Sequence, residues 1–223
     1  MFSPMPNERP DHARPSGGPD PDALWDDALR TLTHAEHAKT ITSLAKSAAL
    51  CTLSQKEEGY PYGSLVTFAL FEGEPLFLIS RLAEHTKNLL ADPRASLLVS
   101  EERAGNPLAL GRVTFIGDVR AITPGEEVGA REAFLAAHPS ARGYVEFRDF
   151  GFFRLQVRSV RYIGGFGRMS FVDPGGFRDA EPDPIAPIAA VFDEHMHRHH
   201  EDALVAIAGT RPRALDATEM GKT

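Results

Sequence analysis

The chain has 223 residues, 42% of them hydrophobic, and a formal net charge of −7. This length suits one domain or a domain with a small appendage, and the apolar fraction excludes wholesale disorder. The acidic balance argues against non-specific nucleic-acid binding, and a single cysteine, Cys51, excludes an internal disulfide or a cysteine-based zinc cluster.

Residues 1–21 read as a disordered tail, with Pro4, Pro6, Pro10, Pro15, Pro19 and Pro21 among glycines and charges. No secretory signal and no membrane-length apolar run is found, so the expected setting is cytoplasmic, without membrane or nucleic-acid partners. Residues 22–32 begin the ordered chain, and a clearer helix starts at Thr33. There Thr33 and Glu36 make a T-x-x-E capping box, and Ala38, Ile41, Ala45 and Ala48 keep helical spacing. Strands are expected at Ala49–Leu53, Ser64–Phe71 and Leu76–Ile79, the last two joined by a turn at Glu72-Gly73-Glu74. A short helix, Glu84–Ala91, ends at Asp92-Pro93 because proline disfavours helical geometry in its predecessor. Further strands are expected at Ala95–Ser100 and Arg112–Ile122, then a helix from Pro124 to Ala137. Phe150–Val157 and Ser159–Phe166 read as a closing hairpin. Six or seven strands, mostly hairpin-linked, predict a mainly β (α+β) fold, an antiparallel barrel with peripheral helices over 22–172. Residues 173–184, rich in Gly and Pro, read as a linker to a helical appendage over 185–223, where Ile188 to Ile207 keep amphipathic spacing up to Gly209.

Several chemical motifs fail on context. Gly165-Phe166-Gly167 lacks the third glycine and the following helix of a dinucleotide fingerprint, and Gly221-Lys222-Thr223 lacks the earlier glycine of a P-loop. No G-x-S-x-G elbow exists, and Cys51 lies in an apolar strand, where a structural thiol is the better reading. The stretch Leu78 to Leu89 is more informative. A strand ends at Ser80 and a helix begins soon after, bringing hydroxyls, an imidazole, a lysine and helix-start N–H groups together, a combination suited to phosphate. A capped helix with solvated polar residues explains the same spacing.

The elements Tyr60-Pro61-Tyr62-Gly63-Ser64, Leu82-Ala83-Glu84-His85-Thr86-Lys87-Asn88-Leu89, Asp92-Pro93-Arg94 and Gly111-Arg112-Val113-Thr114 together resemble the FMN-binding split-barrel superfamily of pyridoxamine phosphate oxidase. The L-A-x-H-T-x-N-L stretch and the late Gly164-Gly165-Phe166-Gly167-Arg168 are most similar to its haem-utilisation (HugZ-type) branch. The resemblance implies a split β-barrel homodimer with FMN in each of two interfacial clefts. It implies a flavoprotein oxidoreductase acting on a small or planar substrate, or alternatively a haem-binding or haem-degrading protein, or a non-catalytic dimeric module. By position, Ser64, Leu65, Val66, Thr67, Ile79 and Ser80 would flank the flavin ring. His85, Thr86 and Lys87 would serve its phosphate, and Arg112 would serve the ring, where a positive charge stabilises the reduced anion. Gly63 and His85 replace the basic phosphate anchors of the oxidase itself, and its C-terminal substrate arginine motif has no counterpart. No catalytic residue and no metal ligand is assigned.

His195, His197, His199 and His200 are four of nine histidines. His195 and His199 are i, i+4 and share a helix face, as metal-binding pairs do, although a structural or dimer-contact role is the stronger expectation. The stretch also resembles the start of a small helical domain often appended to these barrels, matched at His195, Met196, His200 and Asp202.

Overall fold

The computed structural model describes residues 31–102, 106–165 and 168–200. The expected tail over 1–21, the start at 22–30 and the helix beyond His200 lie outside the described residues. Leu32–Phe192 forms one compact unit, and Asp193 onward belongs to another.

Helix α1 (His34–Leu44) opens with the expected capping box: Glu36 N–H donates to Thr33 Oγ1 at 3.2 Å and Thr33 N–H donates to Glu36 Oε2 at 2.8 Å. Strands β1 (Ser47–Leu53) and β2 (Pro61–Thr67) pair antiparallel, and β3 (Ala69–Phe71) and β4 (Glu74–Ser80) form a hairpin. Glu72 and Gly73 take φ of 52° and 78° in its turn, as two-residue hairpin turns require. The single strand expected over Ser64–Phe71 is therefore broken at Phe68, whose ring turns into the core. Helix α2 (Glu84–Ala91), β5 (Arg94–Ser100), β6 (Gly111–Ala121) and helix α3 (Glu127–Ala137) follow.

Strand β7 (Phe150–Gly164) is one continuous strand of 15 residues, not the expected hairpin. No Gly, Pro or Asn interrupts Phe152 to Ile163, so nothing local turns the chain. The irregularity is absorbed as a β-bulge: Ile116 pairs with Ser159 and Gly117 with Val157, leaving Arg158 as the extra residue. A side chain at Gly117 would put its Cβ 2.0 Å from the Gln156 carbonyl oxygen, so the bulge requires glycine there. The hairpin partner of β7 is β8 (Met169–Val172), a stretch to which the sequence reading assigned no element.

The strands form an antiparallel sheet in the order β2-β1-β5-β6-β7-β4-β3, with β8 paired to β7, a curled half-barrel of the split-barrel type. Its concave side holds the main core, including Leu50, Phe77, Leu97, Phe115, Leu155 and Val160, with Ala38 and Ile41 of α1 packed in. Fully burying a side chain of this kind contributes roughly 1.5–3 kcal/mol, so this cluster dominates folding. The opposite side of β3, β4 and part of β7 is covered by α3, where Leu76 and Leu78 meet Ala130 and Phe134. Segment 173–184, expected as a linker, carries α4 (Pro174–Asp179), capped by Asp173 Oδ2 accepting from Gly176 N–H at 2.8 Å. It is not a bare loop, because Phe177 is an anchor: its ring enters the main core edge-on to Phe115, and Lys39 Nζ donates to the Phe177 and Arg178 carbonyls at 3.1 and 3.0 Å. Helix α5 (Ala189–His199) ends the described chain. Among the described residues no helix is long and apolar enough to cross a membrane.

Candidate functional site

Alternation along the strands puts one set of side chains into the core and the other on the sheet's outer side. Over β2, β1, β5, β6, the second half of β7 and β8, the cross-strand register aligns Leu65, Ala49, Leu98, Thr114, Arg161 and Phe171 in one outward row. Ile116 stands one row to one side and Met169 one row to the other. This outer face is apolar yet uncovered: Leu65 is 78% exposed, Leu98 40%, Ile116 50%, Met169 53% and Phe171 73%. Phe171 lies under the Arg161 guanidinium, 4.5 Å from its ring centre. Monomeric proteins rarely leave such a contiguous patch open without a partner or ligand for it.

Two adjoining concavities, of about 260 and 360 Å3, lie at one end of this face and share Arg94, Ala95 and Ile116. Cys51, Leu53, Pro61 and Ser96 line the first, and Gly117, Asp118 and Arg158 the second. Their charged rim is ordered by ion pairs. Arg94 donates from Nε and Nη2 to Asp92 at 2.9 and 2.6 Å, which holds the Asp92 carboxyl well down, at about 2. Arg158 Nε donates to Asp118 Oδ2 at 2.6 Å. Asp92 and Arg94 belong to a stretch quoted for the family resemblance but were given no role, and Asp118 and Arg158 were not singled out, since their proximity depends on the β5–β6 register and the β7 bulge.

The residues expected around a flavin separate into three places. Ser64 and Val66 face the core side of β2, where Ser64 Oγ donates to the Leu50 carbonyl at 3.4 Å, whereas Leu65 and Thr67 face outward. Ile79 is in the core. Ser80 Oγ donates to Asp149 Oδ2 at 2.6 Å and accepts from Leu82 N–H at 3.1 Å, which fixes the turn into α2.

At the start of α2, no side chain caps the helix. Thr86 is fully buried and its Oγ1 has no hydrogen-bond partner. His85 is half-buried, its Nε2 is also without a partner, and burial pushes its imidazole below the ordinary value. Lys87 is exposed and stands 3.5 Å from the Glu84 carboxylate. Asn88 ties this helix to β1: its Nδ2 donates to Thr52 Oγ1 at 3.0 Å, and its Oδ1 accepts from Gln55 N–H at 3.0 Å.

Arg112 lies elsewhere, half-buried, with Nη1 donating to the Leu110 carbonyl at 3.5 Å. Thr52, which holds α2, pairs with Ala95, while Arg112 pairs with Ser100. Five residues of β5 separate those two levels, roughly 17 Å along the strand. His85 and Thr86 are consecutive residues of α2, and Arg112 lies at the other level of the sheet, beside Ser100.

A cluster the sequence reading missed sits over the other end of the barrel. The His37 ring stacks on Tyr162 at 5.8 Å, and His34 Nδ1 lies 2.8 Å from Ser170 Oγ. Burial, then the Arg168 and His34 charges, lower the His37 imidazole below its ordinary value. The signal present was the i, i+3 spacing of two histidines on α1, but their partners come from strands more than 120 residues away.

Comparison with known proteins matches residues 30–179 to the family described as CREG, beta-barrel. The chain belongs to the CREG β-barrel family. Among its relatives is the chloroplastic non-canonical heme oxygenase HOZ of Arabidopsis thaliana, 38% identical over 185 residues that cover 79% of this chain and 56% of that protein. The chain thus spans little more than half the length of the curated relatives it matches. A heme binding protein from Mycobacterium smegmatis superposes with a TM-score of 0.72 at 37% identity, covering 80% of this chain and 73% of the other. ChuZ of Campylobacter jejuni shares the fold, with a TM-score of 0.53, 19% identity, and coverage of 62% of this CREG-family chain and 60% of its own.

Proposed function

We propose that the protein binds haem, as a homodimer whose subunits meet across the open outer face of the sheet, and takes part in haem breakdown. The observation that carries this reading is that two relatives at 37% and 38% identity, each aligned over about four-fifths of the chain, are a heme binding protein and a heme oxygenase. The chemistry of the outer face supports it. Porphyrin is flat and apolar with two carboxylates at one edge. Ile116, Leu53 and Pro61 offer an apolar wall, and Arg94 and Arg158 stand at its rim. Arg94 uses Nε and Nη2 on Asp92, and a guanidinium has five donors, so it has capacity for a second carboxylate. Oxygenase-type breakdown would also need dioxygen and an external reductant.

FMN is a second reading, favoured by the buried, partnerless His85 Nε2 and Thr86 Oγ1. Both suit phosphate oxygens, and the uncapped start of α2 adds backbone N–H groups. Bound there, FMN would supply one- or two-electron transfer; His85 and Thr86 would hold its phosphate, with no contribution from Arg112 of the same chain.

Haemin titration followed in the Soret region tests the first reading. A saturable band shift is expected, weakened in Arg94→Ala and Arg158→Ala; no shift in the wild-type protein refutes haem binding. FMN fluorescence quenching, lost in His85→Ala, tests the second.

A further inference from the structure

The histidine-rich end of α5 is a feature that neither reading uses. His195 and His199, one turn apart, have ring centres 5.0 Å apart, and His200 brings a third ring to 5.2 Å from His195. All three are exposed. His200 N–H donates to the Met196 carbonyl at 2.9 Å, so the last helical turn is closed beneath the rings. The neighbouring charges neutralise each other: Glu194 and Arg198 form an i, i+4 ion pair on the same helix.

We propose that His195 and His199 form a site for a divalent transition-metal ion of the zinc class. Neutral imidazole is a ligand for this class, at about 2.0–2.1 Å from nitrogen to metal. Two such bonds at a tetrahedral angle need nitrogens roughly 3.3 Å apart, a spacing that rings centred 5.0 Å apart reach by a small side-chain rotation. Position on the helix adds to the attraction. His199 lies in the last described turn and His195 one turn before it, toward the helix end whose partial negative charge favours a cation. Among the described residues no three His, Cys, Asp or Glu side chains are grouped to hold a metal ion. The site therefore supplies two protein ligands and leaves the remaining positions to water, which makes it an exchangeable site and not a closed structural one. It goes beyond the haem reading and does not depend on it.

The test uses the full chain, with any purification tag removed and metal stripped by chelator, titrated with zinc chloride against a chromophoric zinc chelator. One saturable site per chain is expected. Because the second imidazole binds intramolecularly, removing either one should weaken zinc affinity by roughly 100-fold or more. His195→Ala and His199→Ala should each show this, as should His195→Gln and His199→Gln, which keep a good helix former at each position. The pair His34→Ala with His37→Ala should leave zinc binding unchanged. Equal zinc affinity in the wild-type protein and the His195 and His199 variants overturns the proposal, as does the absence of a saturable site. Unchanged zinc binding with loss of the haemin Soret shift in those variants would assign the pair to haem iron and overturn it too.

Discussion

Covering the outer face with a second copy makes a quantitative demand on Leu98, in its central row, and Ile116, one row to the side. Burying such a side chain fully contributes ~1.5–3 kcal/mol. In the single chain Leu98 is still 40% exposed and Ile116 50% exposed. Covering those fractions is worth ~1.4–2.7 kcal/mol per subunit, and a two-fold interface uses each residue twice, giving ~2.7–5.4 kcal/mol. The double variant Leu98→Ala with Ile116→Ala should therefore raise the dimer dissociation constant roughly 100- to 10,000-fold. Val128, 69% exposed on α3, provides the control, because it lies on the helix that covers the other half of the sheet. Val128→Ala should leave association unchanged. Sedimentation velocity over a dilution series reads both. A wild-type chain that is monomeric at micromolar concentration, or a double variant that associates as tightly as wild type, would refute the reasoning.

Two further outcomes concern the frame that holds the site. Arg154, with its Nε 2.7 Å from Glu74 and its Nη1 2.7 Å from Glu72 and 3.2 Å from Glu126, ties the β3–β4 hairpin to β7 and the start of α3; Arg154→Met should cost about 3–5 kcal/mol in urea unfolding, because it leaves the largely buried Glu74 carboxylate without its charged partner and with only the Val157 N–H at 3.2 Å. Burial, then the Arg168 and His34 charges, lower the His37 imidazole in the folded chain, so the unfolded chain binds more protons as pH falls through the ordinary histidine value of about 6.5, and stability should decline from pH 7 towards pH 5; His37→Gln should flatten that slope in thermal melts, and an unchanged slope would remove His37 as its source.

What could be read from the sequence depended on how local its cause was. The capping box at Thr33 and Glu36 needs only residues three apart, and the Glu72-Gly73 turn needs only its own positive φ values, so both were legible. The continuity of β7 was not, because the bulge at Arg158 is licensed by Gly117, 41 residues earlier and on another strand. Phe177 looked like part of a Gly- and Pro-rich connection, since the core pocket it fills is assembled from distant strands. For the candidate site, the Leu82–Leu89 stretch marked His85 and Thr86, and their burial bears on the same place. Arg94 stood in a quoted motif without a role, and Arg158 and the open outer face were not marked, because the rim and the face exist only once the β5–β6–β7 register is set.

That register also changes what His85 and Arg112 can do together. Thr52, the β1 residue to which α2 is tied, and Arg112 stand at sheet levels about 17 Å apart along the strands, so His85 and Arg112 belong to different levels of one chain. In a two-fold dimer, however, His85 of one subunit and Arg112 of the other are free to border the same cleft. Mixed dimers separate the two arrangements. Pair a His85→Ala subunit with an Arg112→Ala subunit through two different tags. If each site takes His85 from one chain and Arg112 from the other, one site carries both substitutions and the second carries neither, so half of the wild-type flavin or haem capacity returns. If each site is built within one chain, every site carries one substitution and no wild-type site remains. Loss of one charge-assisted hydrogen bond costs roughly 1.5–3 kcal/mol, about 10- to 150-fold in affinity, so the two outcomes are well resolved in a binding titration. Half-capacity binding at wild-type affinity would establish the shared site. Uniformly weakened binding would sink it, and undiminished binding in both parent homodimers would remove the two residues from the site altogether.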